Sequence, residues 1–192
     1  MDTHASDIGR KAEFAGFMRA YQDVVFSTAA RIVGNDAQAE DIAQEVFLRA
    51  YEDFDRLRAG TSAGGWLKTV ATNLALNHVT RYRRRWRFFS EMLASQDDEE
   101  PQLPFAVPEA LLSGIETDRR RELVEEALKT LPDAQRVPLV LYHFEEMPYA
   151  EIARRLRISL AKVKVDIFRG RAALAKHLGA GGLADTVTDS QS

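Results

Sequence analysis

The sequence contains no cysteine, so the chain can form no disulfide, no thiolate nucleophile and no zinc site built on thiolates. With only 11 glycines and 6 prolines, it does not have the composition of a fibrous or largely disordered protein. No run approaches the roughly 18 apolar residues of a membrane helix. Residues 1–7 also lack the basic and then apolar pattern of a secretion signal. We therefore expect a cytoplasmic protein without membrane insertion.

The usual parts of an enzyme site are also missing. The four histidines are scattered, none lies at metal-ligand spacing from a second histidine and a carboxylate, and no glycine-rich phosphate loop follows a strand pattern. The neighbouring carboxylates Glu145 and Glu146 lie in a polar context with no apolar pocket around them. We predict no catalytic residue, no metal site and no cofactor.

Charges of opposite sign are concentrated in different segments, although the net charge is only −3. Residues 1–90 carry a net charge of +2 and residues 119–178 carry +5, whereas residues 91–118 contain eight acidic and no basic side chains. This middle segment has proline and no sustained apolar periodicity. We predict domains at 1–90 and 119–178, an acidic flexible linker at 91–118, and a disordered tail at 179–192.

Apolar residues recur at helical spacing in both domains, and strand signals are weak, which predicts an all-α fold of two helical domains. In the first domain, a long helix ends at Gly34-Asn35, and Asp36 is predicted to cap a second helix. A third helix is predicted to begin at Trp66, after a loop that contains glycine and serine.

The second domain has helix-turn-helix spacing, with short helices near 149–156 and 160–178 joined by residues 157–159 and with Ser159 as the second N-cap. The predicted core positions of the last helix are Leu160, Val163, Ile167 and Leu174. The positions predicted to face DNA are Lys162, Val165, Asp166 and Arg169, with Lys164 and Arg171 within reach of phosphates. A basic amphipathic helix that packs on protein remains the alternative.

Two further clusters stand out on the helices of the first domain. Five arginines and two aromatic residues fall within 81–87, a pattern that suits phosphates and stacked bases; a solvated charged face is the alternative. On the second helix, four side chains share one face: Asp41, Gln44, Glu45 and Leu48. Spacing alone leaves a protein-docking surface and an ordinary solvated face equally open.

Three segments carry a resemblance to a known family: residues 39–51 (AEDIAQEVFLRAY), 66–77 (WLKTVATNLALN) and 149–156 (YAEIARRL). Through them the chain resembles a bacterial sigma factor of the extracytoplasmic-function group, a short branch of the sigma-70 family. The resemblance extends over about residues 11–178, which is nearly the whole chain. It implies an initiation factor that lends promoter specificity to RNA polymerase and has no catalytic site of its own.

The resemblance also implies partners. The face of Asp41, Gln44, Glu45 and Leu48 is expected to dock on the β′ clamp helices of core RNA polymerase, and the second domain is expected to lie near the β flap. An anti-sigma factor is expected to hold the protein inactive. The acidic linker 91–118 is hypothesised to thread the RNA-exit channel as a nucleic-acid mimic, which neutralising Asp97, Asp98, Glu99 and Glu100 would test.

The DNA contacts implied by the resemblance divide between the two domains. The loop 54–65 is expected to capture a base flipped from the −10 element. The surface expected to melt and hold that strand comprises Trp66, Asn73, Asn77, Arg81, Arg83, Arg84 and Arg85. The helix-turn-helix is expected to read the −35 element as duplex, through Ser159, Lys162, Lys164, Val165, Asp166, Arg169 and Arg171.

The chain departs from the family pattern in the last helix. Val165-Asp166 replaces a common Ser-Arg pair, and Lys162 stands where a Thr is frequent. An aspartate would repel phosphate but can accept a hydrogen bond from a cytosine amino group, so we predict an altered −35 preference. Pro148 also replaces the usual Ser or Thr cap of the first helix of the motif, with no evident functional consequence.

Two other functions remain open. A sigma-like decoy would bind an anti-sigma protein but not DNA; the Val165-Asp166 departure favours it slightly, and the arginine run opposes it. An ordinary helix-turn-helix regulator would need no polymerase-docking face and would typically form a dimer on a palindrome.

Overall fold

The computed structural model describes residues 2–60, 62–90 and 117–188, and the surroundings of side chains within 8–60, 62–81 and 119–179. Every regular element in these ranges is a helix, which confirms the all-α prediction. The helices are α1 (Asp2–Val33), α2 (Asp36–Glu52), α3 (Phe54–Ala59), α4 (Ala63–Ser90), α5 (Thr117–Thr130), α6 (Asp133–His143), α7 (Tyr149–Leu156) and α8 (Leu160–Thr188). They form two compact units, Met1–Arg83 and Arg84–Ser192.

The N-terminal unit is organised around the packing of α1 on α2. Gly34 ends α1 at φ 67°, a left-handed conformation that favours glycine, and its N–H donates to the carbonyl of Ala30 over 2.7 Å. The predicted cap at Asp36 is wrong. Asn35 has the extended backbone that an N-cap needs, and its Oδ1 accepts a hydrogen bond from the N–H of Gln38 over 3.0 Å.

The core of this unit consists of small and branched side chains along the α1–α2 contact, with an aromatic cluster at one end. Fully buried positions include Val25, Ala29, Ile32, Ala39, Val46 and Ala50. Phe14 packs edge-on against Tyr51 and Phe54, with ring centroids 4.9 and 5.1 Å away, and so ties α1 to the end of α2 and to α3.

The segment between α2 and α4 is more ordered than its sequence suggested. Phe54 and Leu57 are buried and form the short helix α3, so the predicted loop 54–65 is helical in its first half. The following helix begins at Ala63 instead of Trp66. A Cβ at Gly64 would lie 3.2 Å from the Tyr21 ring, so this helix start approaches α1 closely.

In the C-terminal unit, α5, α6 and α7 all pack on α8. The core is built from α6, where Val137 through Leu141 are buried despite the internal Pro138, and from Ile152, Val163 and Ile167. The buried guanidinium of Arg136 donates to the carbonyl of Leu131 over 2.7 Å and to Asp133, and thereby fixes the corner between α5 and α6.

The ends of the predicted linker and tail differ from expectation. Helix α5 begins at Thr117, two residues before the predicted domain start, and residues 91–116 lie outside the described residues. Helix α8 extends to Thr188, beyond the predicted helix end at Leu178. The disorder predicted for the tail stays a prediction, and residues 189–192 lie outside the described residues.

The position of the α2 cap can be tested by removing one side chain at a time. We expect Asn35→Ala to lower the free energy of unfolding of the N-terminal unit by about 1 kcal/mol, because the N–H of Gln38 loses its acceptor. Urea unfolding followed by tryptophan fluorescence measures this, since Trp66 lies on α4 within this unit. Asn35→Ser should restore most of the loss. A larger loss in Asp36→Ala would contradict the assignment.

Candidate functional site

The outward face of α2 presents four side chains together. Asp41, Gln44, Glu45 and Leu48 are all exposed, and Leu48 has 64% of its surface accessible. Their position follows from the other side of the helix, which is buried against α1. Glu45 accepts a hydrogen bond from Nε of Arg49 over 2.9 Å, an exposed pair that adds little stability. An exposed leucine between carboxylates is suited to a partner that brings both apolar and basic groups.

An apolar groove of about 630 Å³ adjoins this face, between α1 and α2. Gln44 and Leu48 belong to both the groove and the face, while Phe14, Phe47 and Tyr51 contribute aromatic lining. This groove was not predicted from the sequence. The only sign of the groove in the sequence is that α1 carries large apolar side chains outside its core stripe. Met18, one of these side chains, is exposed in the structure.

Helix α4 carries a second polar stripe on its exposed side. Asn73, Asn77 and Arg81 are exposed at four-residue spacing, so they lie above one another on one face. The opposite side of the helix is buried at Leu67, Ala71 and Ala75. The predicted contacts Arg83, Arg84 and Arg85 continue α4, but their side chains lie outside the described surroundings.

Trp66 lies near the start of α4, next to the segment predicted to capture a flipped base. Its side chain is half-buried, and the guanidinium of Arg56 lies 5.9 Å from the ring centroid. Arg58, at the end of α3, donates to Glu13 over 2.8 Å and pairs with Asp55. Of the cations on α3, Arg56 therefore lies beside the Trp66 ring, an arrangement suited to stacking with a base.

The helix-turn-helix is formed as predicted in the C-terminal unit. Arg157 turns the chain with a left-handed backbone at φ 56°, and the N–H of Ile158 donates to the carbonyl of Ala153 over 3.1 Å. Ser159 is confirmed as the N-cap, since its Oγ accepts a hydrogen bond from the N–H of Lys162 over 3.1 Å. These bonds fix the start of α8 relative to α7.

The faces of α8 agree only in part with the helical pattern. Val163, Ile167 and Leu174 are buried as predicted, whereas Leu160 is 46% exposed because it precedes the region covered by the other helices. The side chains of the DNA set divide by exposure. Lys162, Lys164 and Arg169 are exposed, and Val165 and Arg171 are half-buried.

Asp166 is the exception in this set, and its predicted outward position is wrong. The residue is only 4% exposed, and its Oδ1 accepts a hydrogen bond from Nζ of Lys162 over 3.0 Å. The side chain therefore turns along the helix toward a lysine one turn earlier, instead of facing outward. The predicted contact between Asp166 and a cytosine amino group does not fit this geometry.

Arg171 is held against α6 by two groups. Its Nε donates to Nε2 of His143 over 3.0 Å, and its guanidinium lies 5.4 Å from the Tyr142 ring centroid. Burial, followed by the nearby Arg171 cation, lowers the pKa of His143 below its ordinary value of 6.5. His143 is therefore a neutral acceptor at neutral pH for the N–H that Arg171 donates.

Two family models match the chain, one in each unit. Residues 17–86 match the model described as sigma-70 region 2, and residues 121–174 match the model described as sigma-70 region 4. The first match contains the α2 face and the α4 stripe, and the second contains the helix-turn-helix.

Several curated proteins are similar over most of the chain. The ECF RNA polymerase sigma factor SigW of Bacillus subtilis is 30% identical over 88% of this chain and 91% of its own length. The ECF RNA polymerase sigma factor SigE of Mycolicibacterium smegmatis is 34% identical over 84% of this chain and 60% of its own length. The RNA polymerase sigma factor YlaC of Bacillus subtilis is 32% identical over 83% of this chain and 88% of its own length.

Within the described residues, no helix has the length and apolar character needed to cross a bilayer.

The neutral state of His143 predicts a pH dependence of stability. As the pH falls through about 6.5, the unfolded chain takes up a proton that folded His143 resists, so stability present above this value is lost. We expect thermal unfolding at about pH 5.5 to occur at a lower temperature than at about pH 7.5. His143→Gln, which retains an acceptor for Arg171, should reduce this difference. The exposed His177→Gln is the matched control, and an equal reduction there would contradict the assignment.

Proposed function

Because the chain belongs to the sigma-70 family, within its extracytoplasmic-function group, we propose that its two units divide promoter recognition and polymerase docking between them. In this proposal the N-terminal unit docks on core RNA polymerase and holds the melted −10 strand, while the C-terminal unit reads the −35 duplex. The observation that carries the proposal is that the polar faces of α2 and α4 are exposed, while the opposite face of each helix is buried.

The α2 face is proposed as the contact with the β′ clamp helices of core RNA polymerase. Its carboxylates, Asp41 and Glu45, favour a basic partner surface, while Leu48 supplies an apolar contact at the centre. The adjoining groove enlarges the surface that a partner helix can cover. The β flap is proposed as the second polymerase contact, for the C-terminal unit.

The −10 strand is proposed to follow the exposed stripe of α4. Asn73 and Asn77 offer amide groups to base edges, and Arg81 begins a run of arginines that neutralises phosphates. Trp66, with Arg56 nearby, is proposed as the stacking surface for a flipped base.

The −35 duplex is proposed to receive the N-terminal half of α8 in its major groove. Lys164 and Arg169 are exposed cations suited to phosphates, and Arg171 is held ready by His143 and Tyr142. Ser159 and Val165 are proposed as further contacts on this side of the helix. The chain itself contributes no catalytic group in this proposal, because polymerase carries out the synthesis.

An anti-sigma factor is proposed as the regulator. Gln44 and Leu48 belong to both the docking face and the apolar groove, so a protein that covers the groove also covers the polymerase contact. Such a partner would inhibit by direct competition, and a cytoplasmic location is the one that this partnership requires.

Loss of side chains on the α2 face should separate the protein from polymerase. We expect the full chain to co-elute with core RNA polymerase in gel filtration and the Asp41→Ala/Gln44→Ala/Leu48→Ala variant to bind at least about 10-fold more weakly, since central contacts dominate interface energies. Open-complex formation on genomic promoter fragments should fall in parallel.

Asp36→Ala is the matched control, because it removes an exposed carboxylate from the same helix on a different side. Equal loss of binding in the control would contradict the assignment of the face. Failure of the unaltered chain to bind core polymerase would overturn the proposed function, and binding to a palindromic duplex as a dimer would replace it with an ordinary regulator.

A further inference from the structure

Lys162 and Asp166 form an ion pair on the first turns of α8, where the proposed DNA contacts begin. We propose that Asp166 is a positioning residue that holds Lys162 to read an acceptor edge of a base, guanine in the first place, in the −35 duplex. In this proposal Lys162 determines specificity and does not anchor a phosphate. The inference rests on the proposed function of α8 as the −35 recognition helix.

Lys162 is fixed at both its backbone and its side chain. Its N–H donates to Oγ of Ser159 over 3.1 Å, and its Nζ donates to Oδ1 of Asp166 over 3.0 Å. The lysine side chain is still 53% exposed, while the Asp166 side chain is only 6% exposed. Since an ammonium group has three N–H donors, two remain after the bond to Asp166. The carboxylate thus holds the lysine from the protein side.

The charge of this pair favours a base edge over a phosphate. The buried carboxylate compensates the lysine charge at a distance of 3.0 Å and would repel an approaching phosphate. A guanine presents two neutral acceptors, O6 and N7, in the major groove, and lysine is one of the side chains that contacts them. By contrast, the exposed Lys164, two residues further along α8, forms no ion pair within the part of the chain that the structure describes, and it is therefore better suited to a phosphate.

Local stability does not account for the pair. A cation in the first turn opposes the helix dipole, and a lysine that precedes its acidic partner by four residues has the weaker of the two orientations. Burial of the carboxylate adds a desolvation cost. A charged pair that opposes both the helix dipole and the favoured i,i+4 orientation, at an exposed helix start, is typical of a functional position.

The test uses the full chain assembled with core RNA polymerase and a promoter that this complex selects from genomic fragments. Each −35 base pair is then changed in turn, and affinity is measured over a range of salt concentrations. For Lys162→Met we expect preference at one guanine position to fall by about 5- to 100-fold. The slope of log K against log salt should change little. For Lys164→Met we expect uniform weakening and a slope that is smaller by about 0.9.

Asp166→Asn tests the positioning role without removing the lysine. With its charge uncompensated and its geometry loosened, Lys162 should contact a phosphate, so the slope should rise by about 0.9 while the guanine preference relaxes. Because Lys162→Met leaves a carboxylate buried alone, Lys162→Met/Asp166→Met is the companion variant that replaces the whole pair with apolar side chains. It should fold, as circular dichroism would show, and lose the same preference.

If Lys162→Met lowered the slope of log K against log salt by about 0.9 and left base preference unchanged, the inference would be overturned. Lys162 would then be a phosphate anchor. Unchanged selectivity and slope in Asp166→Asn would overturn the positioning role. Both results presuppose that the unaltered complex binds promoters. If that complex binds none, the proposed function fails, and this failure is visible before any variant is compared.

Discussion

The contact between α1 and α2 is the constraint on which the N-terminal surfaces depend. Two residues join the helices, and Arg10 near the start of α1 donates to the carbonyl of Tyr51 near the end of α2 over 3.0 Å, so the helices run antiparallel along their length. Burial of Val46 and its neighbours leaves the opposite side of α2 exposed to solvent. Every side chain of the proposed docking surface lies there, and the groove exists because large side chains flank the same contact.

Helix α8 has the corresponding role in the C-terminal unit, because the other three helices of the unit pack on it. A Cβ at Gly170 would lie 3.2 Å from the carbonyl oxygen of Gln135, so α6 and α8 approach each other closely at this glycine. That approach brings His143 on α6 within hydrogen-bond distance of Arg171. Two basic side chains of α8 are thus positioned by their neighbours, Arg171 by His143 and Tyr142 and Lys162 by Asp166.

The sequence predicted the helices, the turn before α8 and the Ser159 cap, because these depend on local spacing and on hydrogen bonds between near neighbours. It did not distinguish Asn35 from Asp36 as a cap, since both residues are good caps and only the backbone angles decide. It also placed Asp166 outward, because a helical wheel assigns polar residues to solvent. A helical wheel does not show the hydrogen bond between Asp166 and Lys162, because this bond depends on the side-chain conformation. The groove escaped prediction because it depends on how two helices pack.

The cations of α8 differ in the groups that neutralise their charge. Under the proposed function, this difference gives them different contacts on DNA. Lys162 shares its charge with a buried carboxylate, whereas the exposed Lys164 forms no ion pair within the described residues. A compensated cation gains most from neutral acceptors, and an uncompensated cation gains most from phosphates. Under the proposed function, base reading therefore belongs to Lys162, and backbone attachment belongs to cations such as Lys164. A recognition helix that enters the major groove by its N-terminal end presents residues at the position of Lys162 to the base edges.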